Sequence, residues 1–99
     1  MKTRLRTDKD NTSFLMFMPV GYDFPIELPV ITGGSRDVAN AWTWNGSLDA
    51  PTLKPSVRTK HGRNKPTSHL WLGGGMCRYL PDSTDGNAGK TLPLQNLPS

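Results

Sequence analysis

Cysteine is nearly missing from this chain: Cys77 stands alone in 99 residues. No intrachain disulfide can form, and that suits a reducing compartment. Long apolar runs are missing too. No stretch approaches the ~20 apolar residues a membrane-spanning helix needs. The basic opening Met1-Lys2-Thr3-Arg4-Leu5-Arg6 is not followed by the apolar segment of a secretion signal. The expectation is a soluble intracellular protein with no membrane partner. Helical periodicity is scarce as well. The best candidate runs from Ser35 to Ala41, barely two turns, with Ser35 or Asp37 as its cap. Nine prolines and ten glycines are too many for a helical bundle. There is no internal repeat and no heptad pattern. Acidic residues number 8 against 12 basic ones, for a formal charge of +4. That surplus permits an acidic partner without requiring one. Apolar content is 34%, so the core is small and a dimer contact or a bound ion would matter to stability.

The richest stretch runs from Trp42 to Ser56, WTWNGSLDAPTLKPS. Trp42 and Trp44 are two apart, which puts both indoles on one face of an extended chain. Asn45-Gly46 is a strong turn signal, because both residues tolerate positive φ. Pro51 and Pro55 bar a helix and push Ala50 and Lys54 into extended geometry. A buried indole removes roughly 150–250 Å² from water, so the pair is read as core rather than as a ligand platform.

Taken in order, residues 1–12 are polar and of mixed charge, and a mobile lead-in is expected there. A single β domain is expected over 13–99. Ser13 to Met18, with Phe14 and Phe17, is apolar on both faces and suits a central strand. Ile26 to Ile31 reads as a second strand, with Pro29 at an edge or bulge. Ser68-His69-Leu70-Trp71-Leu72 and Met76-Cys77-Arg78-Tyr79-Leu80 form the clearest hairpin, joined by Gly73-Gly74-Gly75. A three-residue loop would set Leu72 against Met76, Trp71 against Cys77 and His69 against Tyr79, with His69, Trp71, Cys77 and Tyr79 on one face. Thr91 to Leu94 is a last short strand. The sum is a mainly β fold, a small antiparallel sandwich or open barrel of about six short strands with little helix. Its expected core holds Trp42, Trp44, Trp71, Phe14 and Phe17.

Few residues look chemical. His69 with Cys77 is a conceivable metal pair or nucleophile–base pair, but their aromatic neighbours favour packing. His61 lies in a basic run and reads as a solvated loop residue. Asp82 and Asp85 are spaced for acid–base work, yet turn and capping duty is commoner in a Ser/Thr/Gly/Asn loop. Ser83 has no identifiable base. Gly73-Gly74-Gly75 lacks the lysine and helix of a phosphate cradle. Residues 54–65 carry five of the twelve basic residues, Lys54, Arg58, Lys60, Arg63 and Lys65. Such spacing suits phosphate contact or plain solvation.

The Trp42–Ser56 block, His69 on a strand, and the Asp82-Ser83-Thr84 to Leu94 segment occur in that order. As an ordered set they resemble a family of short phage and prophage proteins of unknown function, some labelled ammonia monooxygenase, over roughly residues 14 to 98. The resemblance implies metal binding in typical members, through a Cys-rich turn near the start, a Cys before the strand His, and a His in the later loop. This chain has Met18-Pro19-Val20-Gly21, Ser68 and Asp85 at those places, leaving His69 as the residual metal candidate. Structural zinc needs four donors, so no cofactor is expected. The reading is a non-enzymatic, phage-derived binding protein of the host cytoplasm. It would inhibit a host defence complex in an anti-CRISPR manner, contacting a host protein or ribonucleoprotein through Arg58, Lys60, Arg63 and Lys65, with Tyr22 as aromatic anchor. The alternatives are a nucleic-acid-binding accessory protein and a small zinc-dependent enzyme or zinc-stabilised module.

Overall fold

The computed structural model describes residues 1–32 and 40–98. Nine strands carry these residues: β1 (Thr3–Thr7), β2 (Ser13–Phe17), β3 (Ile26–Ile31), β4 (Trp42–Trp44), β5 (Leu53–Lys54), β6 (Val57–Lys60), β7 (Thr67–Gly73), β8 (Met76–Tyr79) and β9 (Thr91–Pro93). They build a five-stranded sheet in the order β1-β2-β3-β4-β5 and a four-stranded sheet in the order β6-β7-β8-β9. Every pairing is antiparallel except that of β3 with β4. This is the expected small β architecture, with more strands than the six anticipated. The short helix expected over Ser35 to Ala41 lies outside the described residues, apart from Asn40 and Ala41.

Two of the extra strands come from the proline-flanked stretch after Trp44. Its Leu53 pairs with Trp44 in the first sheet, while Val57 pairs with Leu70 in the second. The chain therefore changes sheets around Pro55-Ser56, and the Lys54–Pro55 peptide is cis. Strands that switch sheets make the corners of packed β layers. The third extra strand is β1. Residues 3–7 were expected in a mobile lead-in, but they pair with β2 from Thr3↔Phe17 to Thr7↔Ser13. Of the β1 side chains only Thr3 is buried, so the strand is held chiefly by its backbone pairing with β2. Pro29 sits one residue before the pairing of β3 with β4 begins, so β3 is locally an edge there.

The core lies between the sheets. Leu15, Phe17 and Val30 enter it from the first sheet, and Val57, Leu70, Leu72, Cys77 and Tyr79 from the second. Each fully buried Leu or Phe contributes roughly 1.5–3 kcal/mol relative to exposure. Trp42 and Trp44 share the inward face, as their spacing predicts, and pack against this core. Two expected core residues do not belong to it. Phe14 lies on the opposite face of β2 from Leu15, beneath the Arg6 guanidinium at 4.7 Å. Trp71 faces outward and is 36% exposed.

The position of Trp71 follows from the hairpin. The turn uses only Gly74 and Gly75, both at positive φ (57° and 81°), the geometry of a tight two-residue hairpin turn. Gly73 pairs with Met76, Leu72 with Cys77, Trp71 with Arg78 and Leu70 with Tyr79. The expected register was off by one residue, and a one-residue slip exchanges the faces of a strand. His69 and Trp71 therefore stand on the outside, while Cys77 and Tyr79 stand in the core.

Candidate active site

Three short segments meet on the outer surface of the second sheet. Ser56 lies at the corner between β5 and β6. The Trp42 indole N–H donates to its backbone carbonyl at 3.4 Å, tying the corner to β4. His69 lies in the middle of β7, pointing outward as the register requires. Asp82 follows Pro81 in the loop after β8.

That loop is held firmly against β7. The Ser83 hydroxyl accepts from the His69 N–H at 2.9 Å and donates to the His69 carbonyl at 2.8 Å. The Leu80 N–H donates to the same carbonyl at 2.7 Å. Thr84 adds a matching pair to Thr67, its N–H donating to the Thr67 carbonyl and its hydroxyl accepting from the Thr67 N–H, both at 2.9 Å. Ser83 is thus spent on backbone bonds at 7% exposure and is no nucleophile. Its work is to place the residue before it.

The result is a chain of contacts. Ser56 Oγ lies 3.0 Å from His69 Nε2, and His69 Nδ1 lies 2.9 Å from both Asp82 oxygens. With the Nδ1 proton directed at the carboxylate, Nε2 presents its lone pair to the serine hydroxyl; this tautomer is assigned from the network. The hydrogen bond from His69 holds the Asp82 carboxyl below its ordinary value, and the charges of His69 and Arg58 act in the same direction. Arg58 is the cross-strand neighbour of His69. A nucleophile, a base within hydrogen-bond reach and a carboxylate that orients the base are the elements of acyl-transfer catalysis. The chain order Ser, His, Asp is no obstacle, since such triads are recognised by geometry.

Sequence reasoning missed Ser56 and misassigned the other two. His69 was kept as a metal candidate and Asp82 paired with Asp85. In the structure Asp85 belongs to a different cluster on the inner side of β7. There the Ser68 hydroxyl donates to Asp85 and lies 2.8 Å from His61 Nε2. The Tyr22 ring stands edge-on to His61 at 4.6 Å. Tyr22 is 5% exposed, so it cannot serve as a surface anchor. Cys77 is buried on that inner side as well, and desolvation pushes its thiol up to about 12. It is therefore neither partner nor rival to His69.

Ser68, Asp85 and the turn around Val20 are the places where the phage-family resemblance expects metal ligands. Ser68 donates to Asp85, and Gly21 of the early turn lines the same surface hollow as Asp85 and His61. No group of three or more His, Cys, Asp or Glu converges among the described residues, and the Ser68 hydroxyl links His61 to Asp85. Of the basic residues, Arg58 and Lys60 stand on the outer face of β6, while Arg63 and Lys65 lie in the exposed turn before β7.

A Ser-His-Asp chain on the outer face of a β sheet has the geometry of a serine-hydrolase triad. The family comparison agrees: a model described as bacterial ubiquitination-like system serine protease (BubE) matches residues 2–80. The chain belongs to that family. The match takes in Ser56 and His69 and stops just short of Asp82. No curated protein and no solved structure matches the chain. The expectation of a non-enzymatic protein is thereby corrected, because the family is one of serine proteases. It had rested on finding no catalytic constellation, and the inhibitor reading loses the same premise.

Proposed function

We propose that this protein is a serine protease acting within a bacterial ubiquitination-like system, with Ser56 as nucleophile, His69 as general base and acid, and Asp82 as the residue that orients His69. The observation that carries the reading is the 3.0 Å contact of Ser56 Oγ with His69 Nε2, backed by the two 2.9 Å contacts of His69 Nδ1 with Asp82. In this scheme His69 removes the Ser56 proton as Oγ attacks a peptide carbonyl. The same proton passes to the leaving amine, and an acyl-serine remains. Water then attacks the ester, again giving its proton to His69, and Ser56 is regenerated. Asp82 keeps the imidazole in the required tautomer and stabilises the imidazolium that forms. Family membership supports the reaction class, and the open sheet face suits a polypeptide substrate.

The test is covalent labelling with a fluorophosphonate probe followed by intact-mass and peptide mapping. The expected result is a single adduct on Ser56, absent from Ser56→Ala and strongly slowed in His69→Ala. A protein that takes up no probe, or that is labelled equally in Ser56→Ala, contradicts the assignment.

A further inference from the structure

The outer face of the second sheet is positively charged around the triad. Strands β6 to β9 contain no acidic residue, whereas Arg58, Lys60 and Arg78 all project outward and are exposed. None of the three forms an ion pair among the described residues. The other sheet differs, since its outer face carries Glu27, paired with Arg6 at 2.9 Å. Asp82 is the one carboxylate at the triad, and it is engaged by His69. Trp71 stands two residues from His69 on the same face, beside its cross-strand partner Arg78. It is a large exposed aromatic for which the core has no use.

We infer, building on the serine-protease reading, that the substrate is an extended acidic segment of polypeptide laid across this face, its acidic side chains meeting Arg58 and Lys60 along β6 and Arg78 across the sheet on β8, with an apolar side chain against Trp71. The dimensions suit such a segment. Arg58 is directly opposite His69, about 5 Å away between Cβ atoms. Trp71 lies about 7 Å along β7 from His69. From β6 to β8 is two strand spacings, about 9.6 Å, or about three residues of extended peptide. Acidic residues within about three positions of the scissile bond therefore reach from the β6 cations to Arg78 on β8. Unpaired surface cations of one sign around a reactive centre raise the local concentration of an oppositely charged substrate, and the effect weakens as salt screens it. A basic face of this kind also attracts nucleic acid, but a triad for acyl transfer has no acyl bond to attack there.

The test uses the full chain and a set of fluorogenic peptides that differ only at the flanking positions, carrying Asp/Glu, Asn/Gln or Lys. The acidic peptide is expected to show kcat/KM on the order of tenfold above the neutral one at low salt, with the lysine peptide poorest and the differences shrinking as salt is raised. In Arg78→Glu the order of acidic and lysine peptides should move toward inversion, a gain that mere damage to the fold cannot produce. Equal cleavage of all three peptides by wild-type protein overturns the inference while leaving the protease reading standing. So does preferential, salt-sensitive binding of an oligonucleotide that leaves peptide cleavage indifferent to charge. Failure of the fluorophosphonate probe to label Ser56 is the separate result that removes the protease reading itself.

Discussion

Asp82 and Asp85 are three residues apart and end on opposite sides of one strand. Asp85 accepts from the buried Ser68 hydroxyl and from the Asn87 N–H, so it is structural. Asp82 leaves 61% of its side chain in solvent and engages the ring it orients. Replacing Asp82 by Asn should therefore leave the fold intact and damage the chemistry. The amide would favour the wrong imidazole tautomer, and a fall in kcat of up to about 10⁴ is expected. Peptide cleavage compared with the circular dichroism of the variant checks this. An Asp82→Asn protein that cleaves at the wild-type rate would remove Asp82 from the triad. The carboxyl also has a pH signature. Its value is lowered mainly by the hydrogen bond from His69, so the folded state favours the ionised form. Whatever stability this gives is present above the ordinary carboxylate range and is lost as pH falls through the lowered value. Cys77 behaves oppositely at this scale. It is 0% exposed and its thiol is pushed up to about 12, while the thiolate is the reactive form. Iodoacetamide should leave the native protein unmodified at neutral pH and alkylate it only after unfolding, as intact mass will show.

The hairpin of β7 and β8 decides which face the triad occupies. Gly74 and Gly75 both require positive φ, which costs a residue with a side chain roughly 1–2 kcal/mol. They differ in surroundings. A Cβ at Gly74 meets open space, whereas one at Gly75 comes within 3.3 Å of Ala50 Cα and 3.4 Å of the Asp49 carbonyl. The Gly75 N–H also donates to the Pro51 carbonyl at 2.9 Å, fastening the turn to the segment that leads to Ser56. Gly75→Ala should thus destabilise more than Gly74→Ala, by about 1 kcal/mol or more beyond the shared φ cost. Urea midpoints of the two variants measure the difference, and equal midpoints would show that the 49–51 segment yields freely. This turn also marks the limit of what the sequence discloses. The hairpin and the inward pair Trp42 and Trp44 are legible because local spacing and turn chemistry specify them, whereas Asn45-Gly46 opens an eight-residue connection to Leu53 and not a tight turn. The number of loop residues in the hairpin is not legible, since Gly73-Gly74-Gly75 serves a two- or a three-residue turn. That single ambiguity placed His69 in the core and hid the site. Ser56 was hidden for another reason: His69 lies 13 residues beyond it and Asp82 a further 13, and no local pattern records that the chain leaves one sheet for another at Ser56. Phe14 misled because an apolar strand in the sequence does not say which of its faces turns away from the core, here toward the Arg6 guanidinium.

Across the whole molecule, the two tyrosines report on whether the sheets stay together. Tyr22 and Tyr79 are the only two in the chain, and they are 5% and 1% exposed. Tyr79 comes from β8 and reaches the turn after β2, where its hydroxyl donates to the Val20 carbonyl at 2.6 Å. Gln95 fastens the same region from the C-terminal side, its side-chain amide donating to the Pro19 carbonyl at 2.8 Å. Burial raises the pKa of both tyrosines above the ordinary 10.0, and that of Cys77 above its ordinary 9.0. For each group the folded state holds its proton more tightly than the unfolded chain does. The stability they support is complete below the unfolded values and is lost as pH rises past them, because only the unfolded chain can ionise. The slope approaches on the order of 1.4 kcal/mol per pH unit for each such group. A small domain has only about 5–15 kcal/mol in reserve, and this one has a small core. Unfolding should therefore overtake direct ionisation on the alkaline side. An absorbance titration is expected to show almost no tyrosinate near pH 10, then a steep cooperative rise that coincides with loss of the far-ultraviolet β signal. Tyr79→Phe should make the alkaline decline shallower, while lowering stability at neutral pH through the lost bond to Val20, by about 1 kcal/mol. A gradual tyrosinate signal centred near pH 10 with the β signal intact would mean that the space between the sheets admits water, and that the core does not seal the inner side of the strand that carries His69.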